Sequence, residues 1–284
     1  MPKYSVCITT HNCGRTIEGS LGSILGQLDN RFEIVVVDSL STDGSREALK
    51  EFGARGKLKL IERGCSRGKG LQIAFENAAG EYIISGMDFG DTYRPRLSSF
   101  LDFYHTKCEG KLLHGLNEAV VVAPRSLIQS LGGWRDLQRS EGWDLWSRAA
   151  KAGAFRWTIF ILTESRDRSS YQAQTEAHPE RKSFAGRYWH QYEVYRDYLR
   201  LRRRLFPPGS HVRLGQRLVQ VLALASLPFY RSYESGPSDF TSQEPEYFVD
   251  SRDWWLEDAI REGDKLERER TYYRKLLSGF AKQV

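Results

Sequence analysis

"FEIVVVDSLSTDGS", residues 32–45, runs from an unbroken apolar segment into a short polar one. Residues 32–38 are too few for a globular helix and rich in β-branched side chains, so they read as a strand. An apolar core with no polar alternation predicts burial on both faces, as in a parallel sheet. "STDGS" is a turn whatever the function, and Asp38 is equally suited to capping the helix that follows. Upstream, "YSVCITT" (4–10) is a second such strand, and residues 16–28 place Ile17, Leu21, Ile24, Leu25 and Leu28 at helical spacing. Downstream come a helix over "SREALKEFGA" ending at Gly53, a strand over "KLKLIE" (57–62), a helix over 68–80 closed by Gly80 as its C′ glycine, and a strand over "EYIISGMD" (81–88). Strand and helix alternate four times, which predicts an α/β domain with a mostly parallel, doubly wound sheet. A further strand over 118–124, a helix running to Gly132 and Gly133, and a helix over 141–153 extend it.

The 284 residues are enough for a large core, with 40% apolar and 12% aromatic residues. The net charge of +6 favours phosphate-bearing partners such as nucleotides or anionic lipid, and by itself does not indicate nucleic-acid binding. Cys7, Cys13, Cys65 and Cys108 form no C-x-x-C pair, which argues against a zinc site or a disulfide framework and for a reducing compartment. The start lacks the apolar segment of a signal peptide, and the longest apolar run, 218–229, is too short to cross a bilayer. The expected location is therefore cytoplasmic, with peripheral contact to the membrane face left open.

Ligands of open parallel sheets sit beyond the carboxyl ends of the strands. That rule selects "TTHN" (9–12), "DSLSTDGS" (38–45), "GCSRGKG" (64–70) and "MDFGD" (87–91). Each has a plain structural alternative as a turn or cap, but four polar strand ends together favour a ligand edge. Arg67 and Lys69 at a helix start suit a pyrophosphate, through charge and backbone N–H groups. Neither a Walker A spacing nor an opening G-x-G-x-x-G is present, which argues against a nicotinamide dehydrogenase. Asp88 and Asp91 either hold a metal or cap a turn. Glu141 and Asp144, three apart on a helix, either share a functional face or complement the helix dipole as an acidic first turn.

These segments, in this order over residues 4–160, resemble the family 2 glycosyltransferases, inverting enzymes of the GT-A fold. "EIVVVDSLSTDGS" is the most specific match; "NAAGEYIISGMDFGDTYRP" resembles the segment ending in the family's Asp-x-Asp motif, and "LGGWRDLQRSEGWDLWSRAAKAG" the segment with the acceptor-side acid pair. The resemblance implies a nucleoside-diphosphate-sugar donor, UDP- or GDP-linked. Thr10, His11, Asn12 and Asp38 would hold base and ribose, with Arg67, Lys69 and Asp88 also on the nucleotide. Asp88 and Asp91 would hold Mg²⁺ or Mn²⁺, oxygen-seeking ions that neutralise a leaving diphosphate. Glu141 would be the general base, with Asp144 as second choice. Two positions depart from the pattern: Gly90 stands where a metal-binding carboxylate is usual, and Gly142 where the family's base is usual. A catalytically weak or inactive nucleotide-sugar-binding scaffold is therefore the alternative reading. A nucleotidyltransferase is disfavoured because no glycine-rich loop follows the first strand.

The domain boundary is expected near residue 165, with a mainly helical region over 166–284 broken at 206–210 and 235–246. Tyr188, Tyr192, Tyr195, Leu199 and Phe206 line one helical face, while Arg196, Arg200, Arg203 and Arg204 crowd elsewhere. Together with residues 213–233 this suits either an interfacial membrane element, with a lipid-linked rather than a saccharide acceptor, or, preferably, packing on the catalytic domain with a solvated arginine face. Residues 254–277 form a charged amphipathic helix for docking or self-association. The sequence leaves the oligomeric state open.

Overall fold

The computed structural model describes residues 2–116, 120–160, 162, 184–201, 214–233 and 249. Seven strands, β1 (Tyr4–Thr10), β2 (Phe32–Asp38), β3 (Lys59–Glu62), β4 (Tyr82–Ser85), β5 (Leu112–Leu116), β6 (Val120–Pro124) and β7 (Phe155–Ile159), form one sheet in the order β3-β2-β1-β4-β6-β5-β7. β1 to β4 are mutually parallel, β6 runs antiparallel to β4 and β5, and β5 and β7 are parallel. The mostly parallel α/β expectation holds, with one reversed strand.

Helices α1 (Ile17–Leu25), α2 (Ser45–Ala54), α3 (Arg67–Glu76), α4 (Leu97–Lys107), α5 (Arg125–Ser130) and α6 (Glu141–Lys151) flank this sheet. Burial on both faces follows from the strand pattern. Val6, Ile8, Ile34, Val36 and Ile84 enter one core with Ile17, Leu21, Phe100 and Phe103. The intervening Cys7, Val35, Val37 and Ile83 enter the other with Leu71, Phe75, Trp134 and Leu145. Removing such apolar surface from water is the main stabilising contribution.

Two expectations about local structure are corrected. α3 ends at Glu76 with Asn77 as its C-cap, so Gly80 is no helix terminator. Gly80 instead crosses β1: its N–H donates to Ser5 Oγ at 2.7 Å, and a Cβ there would lie 2.6 Å from the Ser5 nitrogen. Residues 86–88 leave the sheet, with Gly86 at φ 90° turning the chain out of β4.

Beyond β7, α7 (Phe184–Arg200) and α8 (Leu214–Ser226) pack on each other through Tyr195, Val219 and Ala223, with Tyr188, Tyr192 and Leu199 at the margin. Gly215 allows the approach, since a Cβ there would lie 2.3 Å from Tyr188 Oη. The expected solvated arginine face is corrected: Arg196 and Arg200 are buried, their guanidiniums over the rings of Tyr230 and, for Arg200, Tyr233. The expected apolar packing on the catalytic domain is corrected as well. Leu218, Val221, Leu222 and Leu224 of α8 are exposed, as is Phe229 beyond it. Phe206, Arg203, Arg204 and the segments 206–210, 235–246 and 254–277 lie outside the described residues. Among the described residues no helix is long and apolar enough to cross a membrane.

Candidate active site

β1 lies between β2 and β4, so the sheet's winding reverses between β1 and β4, and the loops leaving those strands flank the crevice where ligands of such sheets bind. The loops after β1 and β2 are laced together. Ser39 N–H donates to the Thr10 carbonyl at 2.9 Å, Asn12 N–H to Ser41 Oγ at 2.9 Å, and Thr42 N–H to Asn12 Oδ1 at 2.9 Å. His11 Nδ1 lies 3.0 Å from the Ser39 carbonyl. Asn12 and Leu40 are the two non-glycine residues with positive φ among the described residues, at 53° and 58°, and both sit on this edge. Such conformations persist where the surroundings enforce them, and they cluster at ligand sites.

Asp38 is fully buried, and its carboxylate accepts from the N–H and hydroxyl of Ser41. In this conformation it organises its own turn and presents no exposed face to a base. Asp43, by contrast, is held below the usual carboxylate range: burial pushes it up, but hydrogen bonds from Ser45 and from the Gly14 N–H outweigh this.

The loop after β4 is fixed to α1. Thr16 Oγ1 donates to the Phe89 carbonyl at 2.6 Å and Ser20 Oγ to the Asp88 carbonyl at 3.1 Å. Ser23 Oγ accepts from Tyr93 N–H at 3.0 Å, and Gln27 Oε1 from Arg96 N–H at 3.0 Å. These four side chains form a polar stripe at helical spacing beside the apolar one. Sequence reasoning missed it; its signal is the series 16, 20, 23, 27 of small or amide residues. Asp88 is half-buried, and its Oδ1 accepts from Gly90 N–H at 2.8 Å, a local turn in which Gly90 supplies a donor and no carboxylate. Asp91 is buried at the loop's far end.

α3 starts where expected, with Ser66 Oγ accepting from Lys69 N–H at 3.1 Å. Its terminus is not open to a pyrophosphate, which corrects the expectation. Gly68 N–H donates to the Leu137 carbonyl at 2.9 Å and Gly70 N–H to the Ser66 carbonyl at 2.9 Å. A Cβ on Gly68 would lie 2.1 Å from the Arg135 carbonyl oxygen, so glycine is what lets the segment 135–137 approach α3. That approach brings Arg67 Nε to 2.9 Å from Glu141 Oε1 at the start of α6. Arg67 is raised above its ordinary value by Glu141 and, more weakly, by the Asp88 carboxylate, so both acids act on one guanidinium. Lys69 is half-buried on the same turn.

Glu141 and Asp144 prove unlike. Glu141 is buried, and its Oε2 has no hydrogen-bond partner among the described residues. Burial pushes its carboxyl above the usual range, and Arg67 only partly opposes this. Asp144 is clamped by Arg135 Nη1 at 2.8 Å and Arg148 Nη2 at 2.6 Å, with Arg148 also donating to the Gly133 carbonyl. The two acids of the first turn therefore do not share a functional face. Gly142 is roofed by Trp146: a Cβ would lie 3.1 Å from the indole, which itself packs on His114 with centroids 3.9 Å apart.

Among the described residues no group of three or more His, Cys, Asp or Glu side chains is placed to hold a metal ion. Asp88 and Asp91 are oxygen donors of the right kind. Mg²⁺ commonly takes one or two carboxylates and completes its shell with substrate phosphates and water. The half-exposed Asp88 fits that shared arrangement; Asp91, only 7% exposed, fits it less directly.

The family model "Glycosyl transferase family 2" matches residues 5–106, from β1 through α4. Residues 5–106 are therefore similar to glycosyl transferase family 2. An uncharacterized glycosyltransferase of Nostoc sp., alr2836, is 29% identical over 119 residues, 40% of this chain and 37% of that protein. EpsE of Bacillus subtilis, a provisional glycosyltransferase, is 33% identical over 99 residues, 34% of this chain and 35% of that protein. The matched part thus spans about a third of these relatives' length. In three dimensions the chain is similar to the mannosyltransferase PcManGT from Pyrobaculum calidifontis, solved with GDP-Man and Mn²⁺, with TM-score 0.52 and 16% identity over 99% of this chain and 84% of that one. At this identity the likeness establishes the GT-A-type fold. The family 2 segment carries every strand-end loop described above, whereas Glu141 lies outside it.

Proposed function

We propose that the protein is an inverting glycosyltransferase that moves a sugar from a nucleoside-diphosphate sugar to an acceptor hydroxyl, with Glu141 as general base. The observation that carries this reading is the Arg67 bridge. Arg67 pairs with the buried Glu141 carboxylate at 2.9 Å and is raised, more weakly, by the Asp88 carboxylate, which supports a candidate base near a candidate donor site. Glu141 Oε2 accepts the proton of the acceptor hydroxyl; the hydroxyl oxygen forms the new bond to the anomeric carbon as the bond to the diphosphate breaks on the opposite face. A carboxyl raised by burial is a better proton acceptor near neutral pH than an ordinary glutamate. Side-chain charge from Arg67 and Lys69, not the occupied N–H groups of α3, would meet the diphosphate, and Thr10, His11 and Asn12 would line the nucleoside site, with the buried Asp38 holding the turn behind them. Asp88 and Asp91 are the residues that would hold Mg²⁺ or Mn²⁺, which would supply neutralisation of the leaving diphosphate.

The exposed apolar face of α8, flanked by the exposed Arg217 and Arg231, supports peripheral contact with the cytoplasmic membrane face and a lipid-linked acceptor. A saccharide acceptor in solution is the alternative.

The second reading, a nucleotide-sugar-binding protein with little or no turnover, is favoured by Gly90, which brings no carboxylate to the loop, and by the indole roof over Gly142. Calorimetry against UDP, GDP and other nucleoside diphosphates, with and without Mn²⁺, tests what both readings share: one nucleotide is expected to bind, more tightly with the ion. Absence of binding to every one would overturn both.

A further inference from the structure

The residue before α6, Ser140, stands at the N-cap position but its side chain makes no capping hydrogen bond. The loop that leads into α6 is held from the C-terminal region instead. Asp197, fully buried in α7, accepts through Oδ2 from the N–H groups of Gln138 at 2.8 Å, Arg139 at 2.7 Å and Ser140 at 3.3 Å. One carboxylate thus satisfies the three donors that lead into the turn bearing Glu141. An ion pair from the same face of α7 joins Glu193 Oε2 to Arg139 Nη2 at 2.7 Å. Arg196 and Arg200 stand 3.9 and 3.8 Å from Asp197 Oδ1 and are held by the residue 230–233 segment, where Arg200 Nε donates to the Arg231 carbonyl and Tyr233 N–H to the Arg200 carbonyl.

We infer that Asp197 is a positioning residue for Glu141, so that the C-terminal helical layer completes the site. This rests on Glu141 being the proton acceptor. The clamp acts in two ways. It fixes the backbone of residues 138–140, which aims Glu141 at Arg67. It also puts a second negative charge near the Glu141 carboxylate, which disfavours ionisation there; Arg67 of α3 and Arg139 of the preceding loop are the charges that oppose it. The family 2 segment alone, residues 5–106, contains neither partner of this arrangement.

The test uses the full chain and Asp197→Asn, which keeps an acceptor oxygen but removes the charge. Titration of Glu141 is followed by carbon-13 NMR of its carboxyl, identified by its loss in Glu141→Gln. The expected result is that Glu141 titrates at lower pH in Asp197→Asn. The acid limb of kcat/KM should move down with it, kcat should fall on the order of tenfold, and the donor KM should hold. An unmoved Glu141 titration overturns the inference. Should Asp197→Asn fail to fold, exchange of the Gln138, Arg139 and Ser140 amides in the unmodified protein decides: protection equal to that of the core supports the clamp, and rapid exchange overturns it. If Glu141 shifts but no variant or parent transfers sugar, the positioning stands and the proposed activity falls. If transfer depends on Glu141 but is indifferent to Asp197, the reverse holds.

Discussion

Asp88 and Glu141 both act on Arg67, yet they are held in different ways. Asp88 is fixed by its own loop, through the Gly90 N–H, with Tyr93 bonded to its main chain. Glu141 is fixed by elements remote in the chain: Arg67 of α3 on one oxygen, and Asp197 of α7 behind the turn that carries it. The local arrangement satisfies its carboxylate and leaves it half-exposed; the remote one buries its carboxylate with one oxygen unpartnered. Binding a charged donor calls for the first kind of site, and moving a proton for the second.

Replacing Glu141 by Gln gives the sharpest test of that contrast. Transfer is expected to fall by roughly a hundredfold or more, with nucleoside-diphosphate binding retained. The sign of the stability effect follows from the raised carboxyl. The folded state holds its proton more tightly than the unfolded one, so this group's contribution is fully present below the unfolded value and is lost as pH rises through the folded value. Glu141→Gln should therefore melt higher than the parent at neutral pH, the gap closing as pH falls toward the ordinary glutamate range. A melting temperature that falls at neutral pH would contradict a carboxylate raised by burial.

Asp144→Ala should do the opposite, lowering stability by about 3 kcal/mol because it leaves Arg148 buried beside an unmatched Arg135. Urea unfolding measures this. A loss of transfer without a loss of stability would move the base role proposed for Glu141 to Asp144. The smallest effect is expected at Gly142→Ala. The helix gains up to about 1 kcal/mol in propensity, offset by the push on Trp146, so the net change should stay within about 1 kcal/mol. Tryptophan fluorescence should report the displaced indole, and an unchanged spectrum would mean that the roof over this position is loose.

The strands and helices of the first half were legible because each is written locally: a β-branched run buried on both faces, or an apolar stripe closed by polar residues. The donor edge was legible for the same reason, since it is the set of polar loops after those strands. α4 and β5 were not read from the sequence. Gly80 looked like a helix cap because a glycine after a helix usually is one, but the close approach of Ser5 is what requires it here. The first turn of α3 looked open to a phosphate because only the tertiary fold brings the Leu137 carbonyl onto the Gly68 N–H. Arg196 and Arg200 looked solvated because the tyrosines and the acid that bury them come from other segments or other faces.

The sequence by itself determined the α/β fold and the polar strand ends proposed as the donor edge, because short-range pattern and turn chemistry are enough for those; the roles proposed for Asp88 and Glu141 came from the family resemblance. Only the tertiary structure decided which acid of the α6 pair is clamped by arginines and which keeps an oxygen without a partner among the described residues, and that Asp197 of the C-terminal region holds the loop leading into α6. Those outcomes depend on which distant charges share a low-dielectric interior, and charge pairing over such sequence separations leaves no periodic trace in the chain.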